Sequence, residues 1–223
     1  MLEEWADIAS FDAPGVAAEP WPESSEAEPI VARGLAEIDR RGWDRCILVS
    51  DEFANAIAVR MAAAHPVAVQ ALALGHASLS LSDRGADAPV SADVIAGFNT
   101  LLETDYRAWV RAYTQLTQGA YDDETMNRFL ERVPEDVSRR HSRLLDVVRE
   151  DLDIEAELRR LDVPLLFAEH RDCLVFRAEG YRAAKEAFPE AVTVSTLEKP
   201  SCSPDFARAL RAFAMQVREA APA

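Results

Sequence analysis

The stretch "CILVSDEFANAIAVRMAAAHP", Cys46 to Pro66, decides the fold. Cys46 to Val49 are apolar without alternation, the pattern of a short strand buried on both faces. From Ala54 the chain turns alanine-rich, with Ile57, Val59 and Met61 interspersed, and reads as a helix packed closely on a sheet. Between strand and helix stand Asp51, Glu52 and Phe53, a sharp turn with no serine at its apex and no glycine beside it. Acidic residues suit a helix start, where the dipole and free N–H groups favour negative charge. The turn therefore reads either as a plain junction or as a site.

Working outward, further short apolar stretches lie at 6–12, 68–76, 164–170 and 191–198, each followed or preceded by helical patterns. Helix 29–41 places Val31, Leu35 and Ile38 on one side. A last helix at 203–218 carries Phe206, Leu210, Phe213 and Val217 as a core stripe. Strands alternating with helices imply an α/β fold, a mostly parallel sheet with helices on both faces. Residues 78–161 break the alternation with helical patterns alone, Asp123 and Pro134-Glu135 marking helix starts. They are expected to form a helical cap inserted into a core made of 1–77 and 162–223.

The bulk properties narrow the function. The 223 residues, 49% hydrophobic, allow one sizeable core with an insertion. A formal net charge of −15 argues against nucleic acid or an anionic membrane as the main partner, because both demand clustered positive charge. The three cysteines, Cys46, Cys173 and Cys202, are too few and too scattered for a disulfide scaffold or a zinc site. The start "MLEEWADIAS" lacks a basic segment followed by an apolar one, and no apolar run approaches membrane-spanning length, so a cytoplasmic protein is expected.

Four segments together resemble the α/β-hydrolase superfamily, particularly its capped hydrolases and esterases. "ASFDAPGVA" is similar to its early strand and turn, and "CILVSDEFANAIAVRMAAAHP" to its strand, nucleophile elbow and helix ending in His-Pro. "LDVPLLFAEHRDCLV" resembles the strand that delivers the catalytic acid, and "FPEAVTVSTLEKPSCSPDFARALRAF" the last strand, histidine loop and closing helix. Ordinary catalysis in that superfamily needs an exposed serine on a strained turn, a histidine base, a carboxylate that orients it, and oxyanion donors.

The resemblance places Glu52 at the nucleophile position, with Ser50 and Ala54 where the flanking glycines belong. Asp172 falls at the acid position and Ser201 at the place of the catalytic histidine; no histidine follows His170. The resemblance also implies that further strands and the oxyanion loop should precede "ASFDAPGVA", so the N-terminus reads as shortened. Loss of a central strand would leave sheet groups unpaired at about 1–3 kcal/mol each. The remaining strands then pair directly, a partner chain or second copy completes the sheet, or the natural start lies upstream.

His76 and His170 end their strands at the carboxyl rim, where ligands bind in such sheets. With Glu52 and Asp172 they would form either an acid–base set or a two-His carboxylate metal site; the plain reading is histidines solvated or bonded to loops. No His-x-x-x-His spacing supports a metal, and no cofactor is expected. His65 belongs to the helix end and His141 to the surface of the cap. Cys173 and Cys202 lie in loops that the resemblance brings together. Phe98, Tyr106, Trp109 and Tyr113 recur at helical spacing as cap core, and a small apolar pocket beneath the cap follows from the resemblance.

The expectation is therefore a hydrolase-fold homologue without serine hydrolysis, binding a small, partly apolar molecule or a protein. The alternative is an enzyme of altered mechanism with Glu52 as general base beside a rim histidine.

Overall fold

The structure, a computed structural model, describes residues 2, 4–11, 27–52, 54–77, 92–118, 123–132, 154–171, 173, 178–197 and 203–220. Its frame is four strands, β1 (Cys46–Asp51), β2 (Val69–Gly75), β3 (Leu165–His170) and β4 (Val192–Thr196). They pair in the order β1-β2-β3-β4, every neighbour parallel. The near-continuous apolar runs mark such a sheet because both faces of its central strands are covered.

Strand β2 shows how its sequence divides the core. Ala71 and Ala73 point to one face, with Leu166 and Ala168 of β3, against Phe206, Leu210 and Phe213 of the last helix, α8 (Pro204–Ala220). Leu72 and Leu74 point to the other face, with Phe167 and the helices α1 (Glu28–Arg41) and α2 (Ala54–Ala64). Also in that second layer are α6 (Ile154–Leu158) and α7 (Ala178–Ala187). Small residues on the α8 face admit the two phenylalanine rings; larger ones fill the opposite layer.

Helix α1 seats on α2 through Gly34. A Cβ there would lie 2.5 Å from Met61 Cε and 2.7 Å from the Phe11 ring, so a larger residue would have to push these side chains aside. The helix ends at Gly42 in the left-handed conformation (φ 64°), a common glycine C-cap.

The strand expected at 6–12 does not form: residues 6–11 carry no ladder, and Asp12 lies outside the described residues. The segment crosses from one layer to the other instead of running along β1. Leu2 and Trp5 pack with the α8 layer, whereas the Phe11 ring lies at Gly34 of α1. Between them Asp7 accepts a bond from Trp43 Nε1 at 3.2 Å and pairs with Arg41 at 3.4 Å. Six positions apart, Trp5 and Phe11 would share one face of a regular strand, yet they pack in opposite layers. Among the described residues β1 therefore has one strand neighbour, and Val49 is 51% exposed.

Among the described residues, α3 (Ala92–Thr104), α4 (Tyr106–Gln118) and α5 (Asp123–Arg132) stand between β2 and α6. Leu102, Tyr106, Val110, Met126 and Leu130 give them a small core of their own. Asp105 caps α4 by accepting the Ala108 N–H at 3.0 Å. The expected helix start at Pro134-Glu135 and His141 lie outside the described residues. Among the described residues no helix is long and apolar enough to cross a membrane.

Candidate functional site

The carboxyl rim of β1, β2 and β3 gathers Asp51, Glu52, His76, His170 and Cys173. Two residues there, Glu52 (φ 55°) and His76 (φ 46°), are the non-glycine residues with positive φ among those described. That conformation costs an L-residue roughly 1–2 kcal/mol, and it persists only where its surroundings fix it. Asn55 supplies much of that fixation at Glu52. It is buried, accepts the Ser50 hydroxyl at 2.8 Å and donates Nδ2 to the Gly75 carbonyl at 2.8 Å. The Glu52 N–H reaches the same carbonyl at 3.2 Å. The turn is thus stitched to the end of β2 from both side chain and main chain.

Beneath the turn runs a buried polar chain. His76 donates from Nδ1 to Asp51 Oδ1 at 2.5 Å, and its Nε2 lies 3.3 Å from His170 Nδ1. His170 donates from Nε2 to the Leu197 carbonyl at 3.1 Å. His76 and His170 are 4% and 3% exposed, so these rim histidines are buried rather than solvated. Burial pushes the His76 imidazole down. The Asp51 carboxylate and the Cys173 sulfur beside it push it up and prevail, raising it from 6.5 to about 9.

Two overlapping groups have the donor types to hold a cation. His76, His170 and Cys173 have ligand atoms within 4.8 Å of one another and are all buried; Asp51, Glu52 and His76 satisfy the same distance closer to the surface. Above them, Tyr113 of α4 places its hydroxyl 3.5 Å from Glu52 Oε2, at the outer limit of a hydrogen bond. Tyr113 stacks on Trp109 with centroids 5.1 Å apart, and Trp109 on Tyr106 at 6.1 Å.

No protein-family model and no curated protein matches the sequence. Solved structures do match. A bacterial membrane phospholipase A superposes with a TM-score of 0.74 at 20% identity, over 94% of this chain and 70% of that one. An esterase from Exiguobacterium antarcticum gives 0.72 at 12% identity, over 93% and 80%. An esterase from Rhodococcus gives 0.70 at 18%, over 92% and 79%. The chain has the α/β-hydrolase fold.

At the junction of β1 and α2, where the sequence resemblance leads one to expect a nucleophile elbow, Glu52 stands in the strained conformation. Of the other residues singled out in the sequence, His76 and His170 meet at the same rim. Asp172, Ser201 and Cys202 lie outside the described residues. His65 sits away from the rim, 3.6 Å from Asp39.

Asp51, which its position suits either to a helix cap or to a site, is the carboxylate partner of His76. The sequence reading treated Asn55 as a helix residue and Tyr113 as core. A buried asparagine among alanines was the available signal for the first of these two. The Asp51–His76 contact spans 25 positions and had no local signal.

Proposed function

We propose that this α/β-hydrolase-fold protein does not run serine hydrolysis and recognises a small, partly apolar molecule between the sheet rim and the helices α3 to α5, which act as its cap. The observation that carries the reading is Glu52 at the elbow apex, facing Tyr113. A glutamate offers no alkoxide, and its longer side chain would displace the reacting carbon relative to an aspartate nucleophile. What it does offer is an acceptor for a ligand's N–H or O–H group, with the Tyr106–Trp109–Tyr113 stack as an apolar wall nearby.

Base catalysis by Glu52 with a rim histidine is the second reading, favoured by the closeness of Glu52 and His76. Against it, His76 already spends Nδ1 on Asp51 and has Nε2 turned to His170. The test is a broad ester and lactone screen on the parent, Glu52→Ser and Glu52→Gln. Binding without catalysis predicts no turnover above buffer in the parent or in Glu52→Gln. Parent turnover that disappears in Glu52→Gln would overturn the proposal in favour of the second reading.

A further inference from the structure

We propose that His76, His170 and Cys173 form a binding site for one zinc(II) ion. The hydrogen bonds fix which nitrogens are available. A carbonyl oxygen only accepts, so His170 Nε2, bonded to Leu197 O, carries the proton and leaves Nδ1 with a lone pair. An ionised carboxylate only accepts, so His76 Nδ1, bonded to Asp51, carries its proton and leaves Nε2 with a lone pair. With both rings neutral, as metal binding requires, His76 Nε2 and His170 Nδ1 face each other across 3.3 Å in a buried place.

The distance, which an N–H···N hydrogen bond also spans, suits a metal ion. Two nitrogens bound to zinc at the usual length and tetrahedral angle stand about 3.3–3.4 Å apart. A sulfur on the same ion would stand roughly 3.5 Å from each nitrogen. The Cys173 sulfur, within 4.8 Å of both rings, must therefore close by at most about 1.3 Å.

Chemistry and surroundings agree. Two imidazoles and a thiolate are a borderline-to-soft donor set that suits zinc. His76 has the outer partner that metal-bound histidines normally show, a carboxylate on the remote ring nitrogen, and His170 has a carbonyl. The thiolate and Asp51 together balance the charge of a divalent ion, with the thiol proton released on binding. His170 and Cys173 are also a local pair, His-x-x-Cys on one turn, held by the Cys173 N–H to the His170 carbonyl at 3.3 Å. That spacing lies in "HRDC", and His76 completes the set from the end of the neighbouring strand. Three protein donors leave a fourth position, as in zinc sites that bind water or a ligand.

The experiment uses the full chain, stripped with chelator and titrated with cobalt(II), then zinc(II). One equivalent per chain is expected, with a thiolate-to-cobalt charge-transfer band and a rise in melting temperature on adding zinc. Cys173→Ser and His170→Gln should lose the band and weaken zinc by more than the roughly 10–100-fold that an outer partner costs. Cys46→Ser should keep both. His170→Gln removes a structural bond as well, so the near-isosteric Cys173→Ser and the parent's own spectrum decide if it misfolds. Uptake below one-tenth of an equivalent, or zinc binding equal in Cys173→Ser and the parent, would overturn the site. The first result would leave a proton between the two rings, and the second would assign the metal to carboxylates elsewhere in this acidic chain. The inference does not depend on the role of Glu52, and an inactive ester screen leaves it standing.

Discussion

At its carboxyl end, β1 hands the chain to a rim where polar groups are buried and bonded: Ser50 to Asn55, Asn55 to Gly75, Asp51 to His76. Along the flank of the same strand the arrangement is reversed. Val49 is 51% exposed, with Ile8 and Phe11 of the crossing segment at 44% and 37%. The rim holds Glu52 and His76 in strained positive-φ conformations. The flank lacks, among the described residues, the strand that would pair with it. Strained backbone persists where neighbouring groups hold it from several directions. An edge held from one side has no such redundancy.

The largest way to break this contrast is Asp51→Ala. The His76 side chain is 1% exposed and would be left without its carboxylate. Removing one partner of a buried ion pair costs roughly 3–5 kcal/mol, the lower end applying if His76 loses its proton in response. Val49→Thr, on the flank of the same strand, should stay within about 0.5 kcal/mol. Urea unfolding of the two variants gives the comparison directly. A loss under about 1 kcal/mol for Asp51→Ala would show that Asp51 and His76 do not form an ion pair in the folded chain.

Next comes Asn55→Ala, which removes the bond to Gly75 O and leaves Ser50 Oγ to find another acceptor. A loss of about 1–3 kcal/mol is expected. It should come with faster amide exchange at Glu52, whose N–H shares the Gly75 carbonyl. Unchanged exchange at Glu52 would mean that the main chain alone holds the elbow.

These two variants also mark where the sequence could and could not be read. The strands at 46–51, 69–75, 165–170 and 192–196 were legible because a parallel strand covered on both faces must be apolar throughout. The 6–12 segment has similar composition, and composition does not say which side chains go to which layer; Trp5 and Phe11 go to opposite ones. Glu52, His76 and His170 could be placed at the rim because each ends a recognisable strand. Their pairing could not, since Asp51 reaches His76 and His76 reaches His170 only after the sheet has set its register.

A smaller effect has the opposite sign. Glu52→Gly should stabilise the fold by about 1 kcal/mol, because glycine adopts φ near 55° without strain. The same change deletes the carboxylate proposed to recognise ligand. A protein that melts higher yet binds less would place the strain and the function at one residue. A destabilised Glu52→Gly would mean that bonds made by the carboxylate outweigh the strain.

The smallest effect belongs to the exposed side of the comparison. Glu37 of α1 accepts bonds from Arg40 at 2.7 Å and Arg41 at 2.9 Å, and Arg41 also reaches Asp7 of the crossing segment. The Arg40 and Arg41 hydrogen bonds lower the Glu37 carboxyl from 4.5 to about 2. A carboxyl lowered on folding contributes stability that is present above its unfolded value and disappears as pH falls through its folded one. The window is therefore about 4.5 down to 2. Because Glu37 is half-buried at the surface beside an exposed Arg40, screening by water and salt keeps the contribution slight. Glu37→Gln should barely move the melting temperature at neutral pH and should flatten the acid limb of the stability curve in that window. Carbon-detected titration of the Glu37 carboxyl with a midpoint near 4.5 would show that these surface bonds do not persist in solution.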